Sequence, residues 1–352
     1  MTYGLLVGLI GIVALAATQS TGRSVESLFS KTATTLLSGT DAAAASSGSG
    51  NPPTAGPSPS PSPMAVFSFS NCGSAGRTGP SLSACTTAYS GTSLDGNIQF
   101  DNQDRQIWTV PTSGTYQITA QGAAGGNAVA SGGNGAEVSA NFTLTGGHEI
   151  AIVVGQLGGN SGSTGNSGNS AGGGGGTYVV NATTNTLLIA AGGGGGAGVA
   201  DTATPSHQAG VDAVWNETDG GNAVDPAISP GQNGNGGAHC TSTGASSGAG
   251  WSGNSVAYSG WATAASSYAN GSDGSYQPTA SGGDGGYGGG GAGAYGGGGG
   301  GGYSGGACGS YQILRDSGGG GGGSYIAPSG NSPSGQSGAN SGHGSVDIQQ
   351  IN

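Results

Sequence analysis

Five uninterrupted glycine tracts, at 172–176, 192–196, 288–291, 296–302 and 318–323, decide what this chain can fold into. Glycine gives up more backbone freedom on ordering than any other residue, so such tracts are ordinarily loose. They also bring no side chain to a hydrophobic core. They do keep every N–H and C=O, and in an extended helix of the polyproline II type none of these groups is satisfied internally. Several such segments side by side can satisfy one another, backbone against backbone, where any Cβ would clash. Glycine tracts set among strands therefore imply either linkers or a block of packed polyglycine II helices. In the second case bulky residues enter from the flanks, at positions such as Tyr287, Tyr295 and Tyr303.

The remaining composition narrows the choice. Glycine makes up 83 of 352 residues, charged residues 6%, and the net charge is −11. This much Gly and Ser usually marks disorder. Here apolar runs recur between the tracts, and charge is too sparse to expand the chain by repulsion. With 5 Lys+Arg in all, no basic patch exists and nucleic acid is excluded as an expected partner. Strand signals fall at 66–69, 107–110, 115–120, 138–144, 149–154, 178–180, 186–190 and 345–351, several with period-two alternation. Short strands at this spacing predict an antiparallel sandwich or jelly roll. No segment after Leu37 reads as a long helix.

The N-terminus has a different character. Tyr3 to Ala17 is apolar and uncharged, yet shorter than the roughly 20 residues of a spanning helix. No Lys/Arg cluster precedes it as in a signal peptide. Val25, Leu28, Phe29 and Leu36 then share one face of a helix. The pattern predicts a continuous helix over residues 1–38, with a core-forming or anchoring role. Residues 39–65 are a low-complexity spacer ending in the repeat Pro57-Ser58-Pro59-Ser60-Pro61-Ser62-Pro63, a composition that favours semi-rigid polyproline II.

Two resemblances follow from motifs. The run Tyr3-Gly4-Leu5-Leu6-Val7-Gly8-Leu9-Ile10-Gly11-Ile12-Val13, followed by Ser27-Leu28-Phe29-Ser30-Lys31-Thr32-Ala33, resembles the N-terminus of Flp/Tad-type (type IVb) bacterial pilins. That likeness implies a helix that waits in the inner membrane and then enters a filament core. The residues carried over to polymerisation are Tyr3, Leu5, Leu6, Leu9, Ile10, Val13, Leu28 and Phe29. Thr2 stands where the family places Glu, so the acid's contact with a neighbouring amine is not carried over. Further on come Asn71-Cys72-Gly73, Ile107-Trp108-Thr109-Val110-Pro111, Gly122-Ala123-Ala124-Gly125-Gly126 and Leu188-Ile189-Ala190-Ala191-Gly192-Gly193. This set resembles the glycine-rich domain of bacterial surface proteins, similar to the extracellular region of anaplastic lymphoma kinase. It implies a jelly-roll-like β core with inserted polyglycine helices over 66–352.

Candidate chemistry is thin. Cys72, Cys85, Cys240 and Cys308 form no CxxC pair and lack zinc spacing. Their even number suits disulfides in an oxidising compartment. Cys72 with Cys85 and Cys240 with Cys308 is the favoured pairing among three possible connectivities. Gly-x-Ser-x-Gly occurs at 168–172 and 302–306, outside the strand-to-helix context of a hydrolase elbow. His148, His207, His239 and His343 share no metal spacing. Asp95, Asp101 and Asp104 sit in one loop without EF-hand spacing and read as turn residues rather than calcium ligands. Asn141, Asn181, Asn216 and Asn270 begin Asn-x-Ser/Thr triplets. Trp215, Trp251 and Trp261 occupy a Ser/Asn-rich stretch and are candidates for surface binding.

The expectations are therefore a long N-terminal helix plus a mainly β domain, an antiparallel jelly-roll-like sandwich carrying polyglycine II helices. No catalytic site, cofactor or metal is expected. The expected role is a structural subunit of an extracellular type IV-like pilus, whose alternative is a membrane-anchored or minor tip adhesin. Expected partners are further copies in a helical filament, the membrane's secretion and assembly machinery, and other filaments, cells or surfaces.

Overall fold

The computed structural model describes residues 65–351, apart from 162–168, 200–207, 225–227, 239, 241–242, 258–259, 279–281 and 313–314. Ser62–Asn352 forms one compact unit. Its framework is two antiparallel sheets. The first has five strands: β1 (Val66–Phe69), β13 (Ser345–Gln350), β4 (Gly114–Gln121), β5 (Gly135–Leu144) and β12 (Asn331–Asn340), in that order. The second runs β11 (Tyr325–Ile326), β8 (Thr186–Ala191), β7 (Thr177–Asn181), β6 (Glu149–Val153), β3 (Gln106–Thr109) and β2 (Ile98–Phe100). A short hairpin, β9 (Tyr311–Gln312) with β10 (Arg315–Asp316), stands apart from both.

The fold class corrects one expectation. The described residues are mainly β, and their one α-helix is α1, the seven residues Leu82–Ala88. The described residues are thus not a long helix plus a β domain. The expected helix over 1–38, with Tyr3, Leu5, Leu6, Leu9, Ile10, Val13, Leu28 and Phe29, lies outside the described residues. The physical reason for so little helix is composition: glycine costs about 1 kcal/mol per residue in a helix interior relative to Ala. Helix α1 forms in a glycine-free stretch, capped by Ser81, whose Oγ accepts the Ala84 N–H at 3.2 Å. Buried Cys85 ties it to Cys72.

The two sheets differ in how their faces are covered, and the sequence shows why. In β4 the residues Tyr116, Ile118 and Ala120 are buried while Gln117 is exposed; β13 buries Val346 and Ile348 around exposed Asp347. That alternation belongs to a sheet with one dry face. By contrast β6 and β7 are apolar without interruption from Ile150 to Val153 and from Tyr178 to Val180. Ile150, Ile152 and Val179 join the core between the sheets, with Trp108, Phe69 and Phe142. Ala151, Val153, Tyr178 and Val180 point the other way, into a second core with Tyr268 and Tyr287. The second sheet is therefore buried on both faces.

What covers its outer side is the glycine block. At one end of the sandwich the strands run straight into glycine: β4 into Gly122–Gly126, β6 into Gly155–Gly159, β8 into Gly192–Gly196. Gly172–Gly176 leads into β7, and Gly318–Gly323 into β11. The backbone N–H groups of Gly172–Gly176 donate in turn to Gly159, Gly291, Gly194, Gln156 and Gly288. Each third donor thus returns to the same neighbouring segment, as a helix of three residues per turn requires. In the 297–302 run the acceptors are Ser317, Ala171, Ser246, Gly320, Gly174 and Ala249, with the same period. Its carbonyls meanwhile accept from Gly291, Gly193, Gly196 and Gly306. The segment is surrounded by six others, three reached through its donors and three through its acceptors. A Cβ on Gly300 would stand 2.0 Å from the Gly193 carbonyl oxygen, and one on Gly195 2.0 Å from that of Gly319. At these positions the packing is closed to every residue but glycine.

Candidate functional site

A block built mostly of glycine backbone, with only small or amide side chains such as Ala171, Ser246 and Gln156 inside, presents its aromatic groups at its rim. Aromatic residues stand there in three separate places, and the three predicted tryptophans do not converge. Trp215 is half-buried against β12, where a Cβ on Gly335 would come within 2.8 Å of its ring. It borders a shallow recess of about 300 Å³ with Asn216, Tyr325 and Ile326. Trp251 is also half-buried. It stacks on Tyr268 at 4.4 Å with 20° between planes, and Tyr178 lies 6.4 Å away. The Arg105 guanidinium caps Tyr268 at 4.7 Å and is held by Asp101 through Nε at 2.6 Å. Both tryptophans serve packing, Trp215 against the core between the sheets and Trp251 against the second core.

Trp261 is different. It is 39% exposed and meets Tyr295 at 5.5 Å, which in turn meets Tyr311, 37% exposed, at 5.4 Å. Each contact is edge-to-face, at 67° and 75°, the arrangement that ring quadrupoles favour. The backbone fixes this row. Tyr295 donates its N–H to the Thr243 carbonyl at 2.8 Å. Gly244, with φ of +62°, lies so close under Trp261 that a Cβ would be 2.9 Å from the indole's own Cβ. Sequence reading selected Trp261 and missed Tyr311, because β9 is too short to carry a strand signal.

The other candidates resolve into structure. Cys72 pairs with Cys85 and Cys240 with Cys308, the favoured connectivity. Both motif serines are wholly buried: Ser170 Oγ lies 3.4 Å from Asp316 Oδ2, and Ser304 Oγ accepts the Gly234 N–H. Neither faces solvent as a nucleophile must. Asp101 Oδ1 accepts the N–H groups of Gln103 and Arg105, and Asp95 accepts that of Gly91. These acids are turn-forming groups, and among the described residues no cluster of acids, His or Cys is placed to hold a metal. His148 bonds Asn181 at 3.2 Å; His207 and His239 lie outside the described residues. His343 accepts the Leu157 N–H on Nδ1, and burial lowers its pKa. It lines a polar cleft of about 520 Å³ with Asn127, Asn134 and Asn160. Of the four Asn-x-Ser/Thr asparagines, Asn181 is buried and Asn216 is exposed.

Burial also sets the phenols of the second core. Desolvation raises Tyr268 to about 12 against the pull of Arg105, and raises Tyr178 and Tyr287 further. Asp273 is raised by burial, with Arg77 opposing.

Comparison with known proteins finds a partial likeness. Over 95 residues, 26% of this chain, the sequence is 39% identical to leukocyte tyrosine kinase receptor of Mus musculus. The matched stretch spans 11% of that receptor's length. No family model matches. The two disulfides and this likeness agree with an extracellular or secreted protein. Among the described residues no helix is long and apolar enough to cross a membrane.

Proposed function

We propose that the chain is a structural subunit of an extracellular filament, with the apolar N-terminal stretch assembling copies and the glycine-rich unit forming the outer surface. The observation that carries this reading is the way the folded unit is attached. Its first strand, β1, begins three residues beyond the Pro-Ser repeat and pairs in register with the C-terminal β13, Val66 opposite Gln349. The unit is thereby closed upon itself, and the Pro-Ser repeat directly precedes it in sequence. The pilin-like motif of residues 3–33 supports the assembling role, and the two disulfides support display outside the cell. Electron microscopy of sheared surface material tests it. Filaments are expected from the full chain and none from an Ile10→Asp variant whose glycine-rich unit melts normally. A reconstruction that leaves residues 1–37 outside the filament core overturns it.

The exposed Trp261 row favours a second reading, a singly anchored or tip adhesin. Abundance separates the two. A filament's main subunit dominates a sheared preparation, whereas a tip protein is scarce there.

A further inference from the structure

Trp261, Tyr295 and Tyr311 share three properties that packing alone does not explain. The polar tips of all three, the indole Nε1 and both hydroxyls, make no hydrogen bond in the described structure. Tyr and Trp are the residues that join a large apolar face to one polar handle, and here each handle is free. The rings are held in place by the edge-to-face contacts, the Thr243 carbonyl and the Gly244 backbone, so little side-chain entropy remains to be lost on binding. Finally, the segments that bear them, 256–263, 293–297 and 308–312, contain no charged residue. The nearest acid along the chain, Asp316, is 0% exposed, and the nearest base, Arg315, stands on β10 opposite Gln312.

A rigid, uncharged row of aromatic faces with unpaired donors suits a ligand that is itself uncharged, apolar on its ring faces and hydroxylated at its rim. Ring-to-ring steps of 5.5 and 5.4 Å match the step between neighbouring pyranose rings in a linear glycan. Because successive rings turn by about 70°, faces for sugar C–H groups alternate with edges and tips for sugar hydroxyls. Thr243 adds one more unpaired group: its hydroxyl is buried and has no partner, beside the glycine that seats Trp261. We propose that Trp261, Tyr295 and Tyr311 form a binding platform for a neutral polysaccharide chain. The platform is the same whether the unit coats a filament or stands alone on an anchor.

Native gels cast with soluble neutral polymers test this on the full chain. The probes are hydroxyethylcellulose, laminarin, dextran and galactomannan, with alginate as an acidic counterpart and phosphatidylcholine–phosphatidylglycerol vesicles assayed by flotation. At least one neutral polymer is expected to retard the protein, and the apparent dissociation constant is expected to rise tenfold or more in Trp261→Ala and in Tyr311→Ala. Tyr311→Phe, which keeps the face and loses the hydroxyl, is expected to give a smaller rise. Leu82→Ala, 48% exposed on α1, is expected to bind as the parent does. Thermal melting of each variant separates lost binding from lost folding, and Trp261→Phe replaces Trp261→Ala if the latter does not fold. Four results overturn the proposal: no retardation by any neutral polymer, retardation that survives both alanine variants, binding to alginate alone, or binding to vesicles alone.

Discussion

At Gly300 the space for a side chain is already occupied by a carbonyl oxygen 2.0 Å from where a Cβ would be. The neighbour is backbone held in its own hydrogen bonds, so relief by a rotamer change is not available. Gly300→Ala is therefore expected to destabilise the unit by about 4 kcal/mol or more, the range of severe core disruptions. Gly342, whose added Cβ meets nothing nearer than 3.6 Å, provides the contrast; Gly342→Ala is expected to stay within about 0.5 kcal/mol. Chemical denaturation of both variants checks the pair. Arg105 carries another local load: it joins Asp101 and lies over Tyr268. Arg105→Ala is expected to cost about 1–2 kcal/mol, given part exposure of both ions. The buried phenols set a pH limit. Their folded pKa values lie above the unfolded value of about 10, Tyr268 at about 12. Such groups favour the fold fully below pH 10, and their contribution is lost as pH rises from there through the folded values. Phenolate absorbance followed across that range should show a late fraction of tyrosines ionising together with loss of near-ultraviolet circular dichroism.

At the level of elements, legibility tracked side chains. The alternation in 115–120 and the apolar runs at 149–154 and 186–190 located β4, β6 and β8, because buried apolar side chains determine those strands. Strand β12 was invisible: its sequence, Asn331 to Asn340, contains Pro333, Gly335 and Gly338 and has no buried hydrophobic side. It survives as an edge strand on β5, with register shifts that accommodate Pro333 and the positive φ of Ser332 and Gly338. Helix α1 left only the Ser81 cap as a signal. The candidate site was half legible, since Trp261 is a conspicuous residue whereas its alignment with Tyr295 and Tyr311 depends on loops far apart in sequence. The disulfides differ in reach, with separations of 13 and 68 residues. On loop-entropy grounds, losing Cys240–Cys308 should cost about 4.4 kcal/mol and losing Cys72–Cys85 about 3 kcal/mol. Melting curves of Cys240→Ser/Cys308→Ser and Cys72→Ser/Cys85→Ser variants test that order.

For the molecule as a whole, the second sheet has two coverings of different kinds. One is an ordinary hydrophobic core, the other a hydrogen-bonded block faced by tyrosines. Hydrogen exchange distinguishes this block from linker: the amides of 192–196 and 298–302 should exchange as slowly as those of β4, because their bonds open only with the whole unit. A further consequence lies in the period of three. A homopolymer tract that slides along its axis by one full turn meets its neighbours with an identical set of donors and acceptors, so the lattice itself cannot tell one alignment from the next. The choice must be made at the tract ends, where β7, β8 and β11 are pinned by sheet pairing and where Tyr287, Tyr295 and Tyr303 stop the glycine runs. Length changes should therefore be judged modulo three: adding three glycines within 296–302 should be absorbed as one looped turn, while adding one should throw every later donor out of phase.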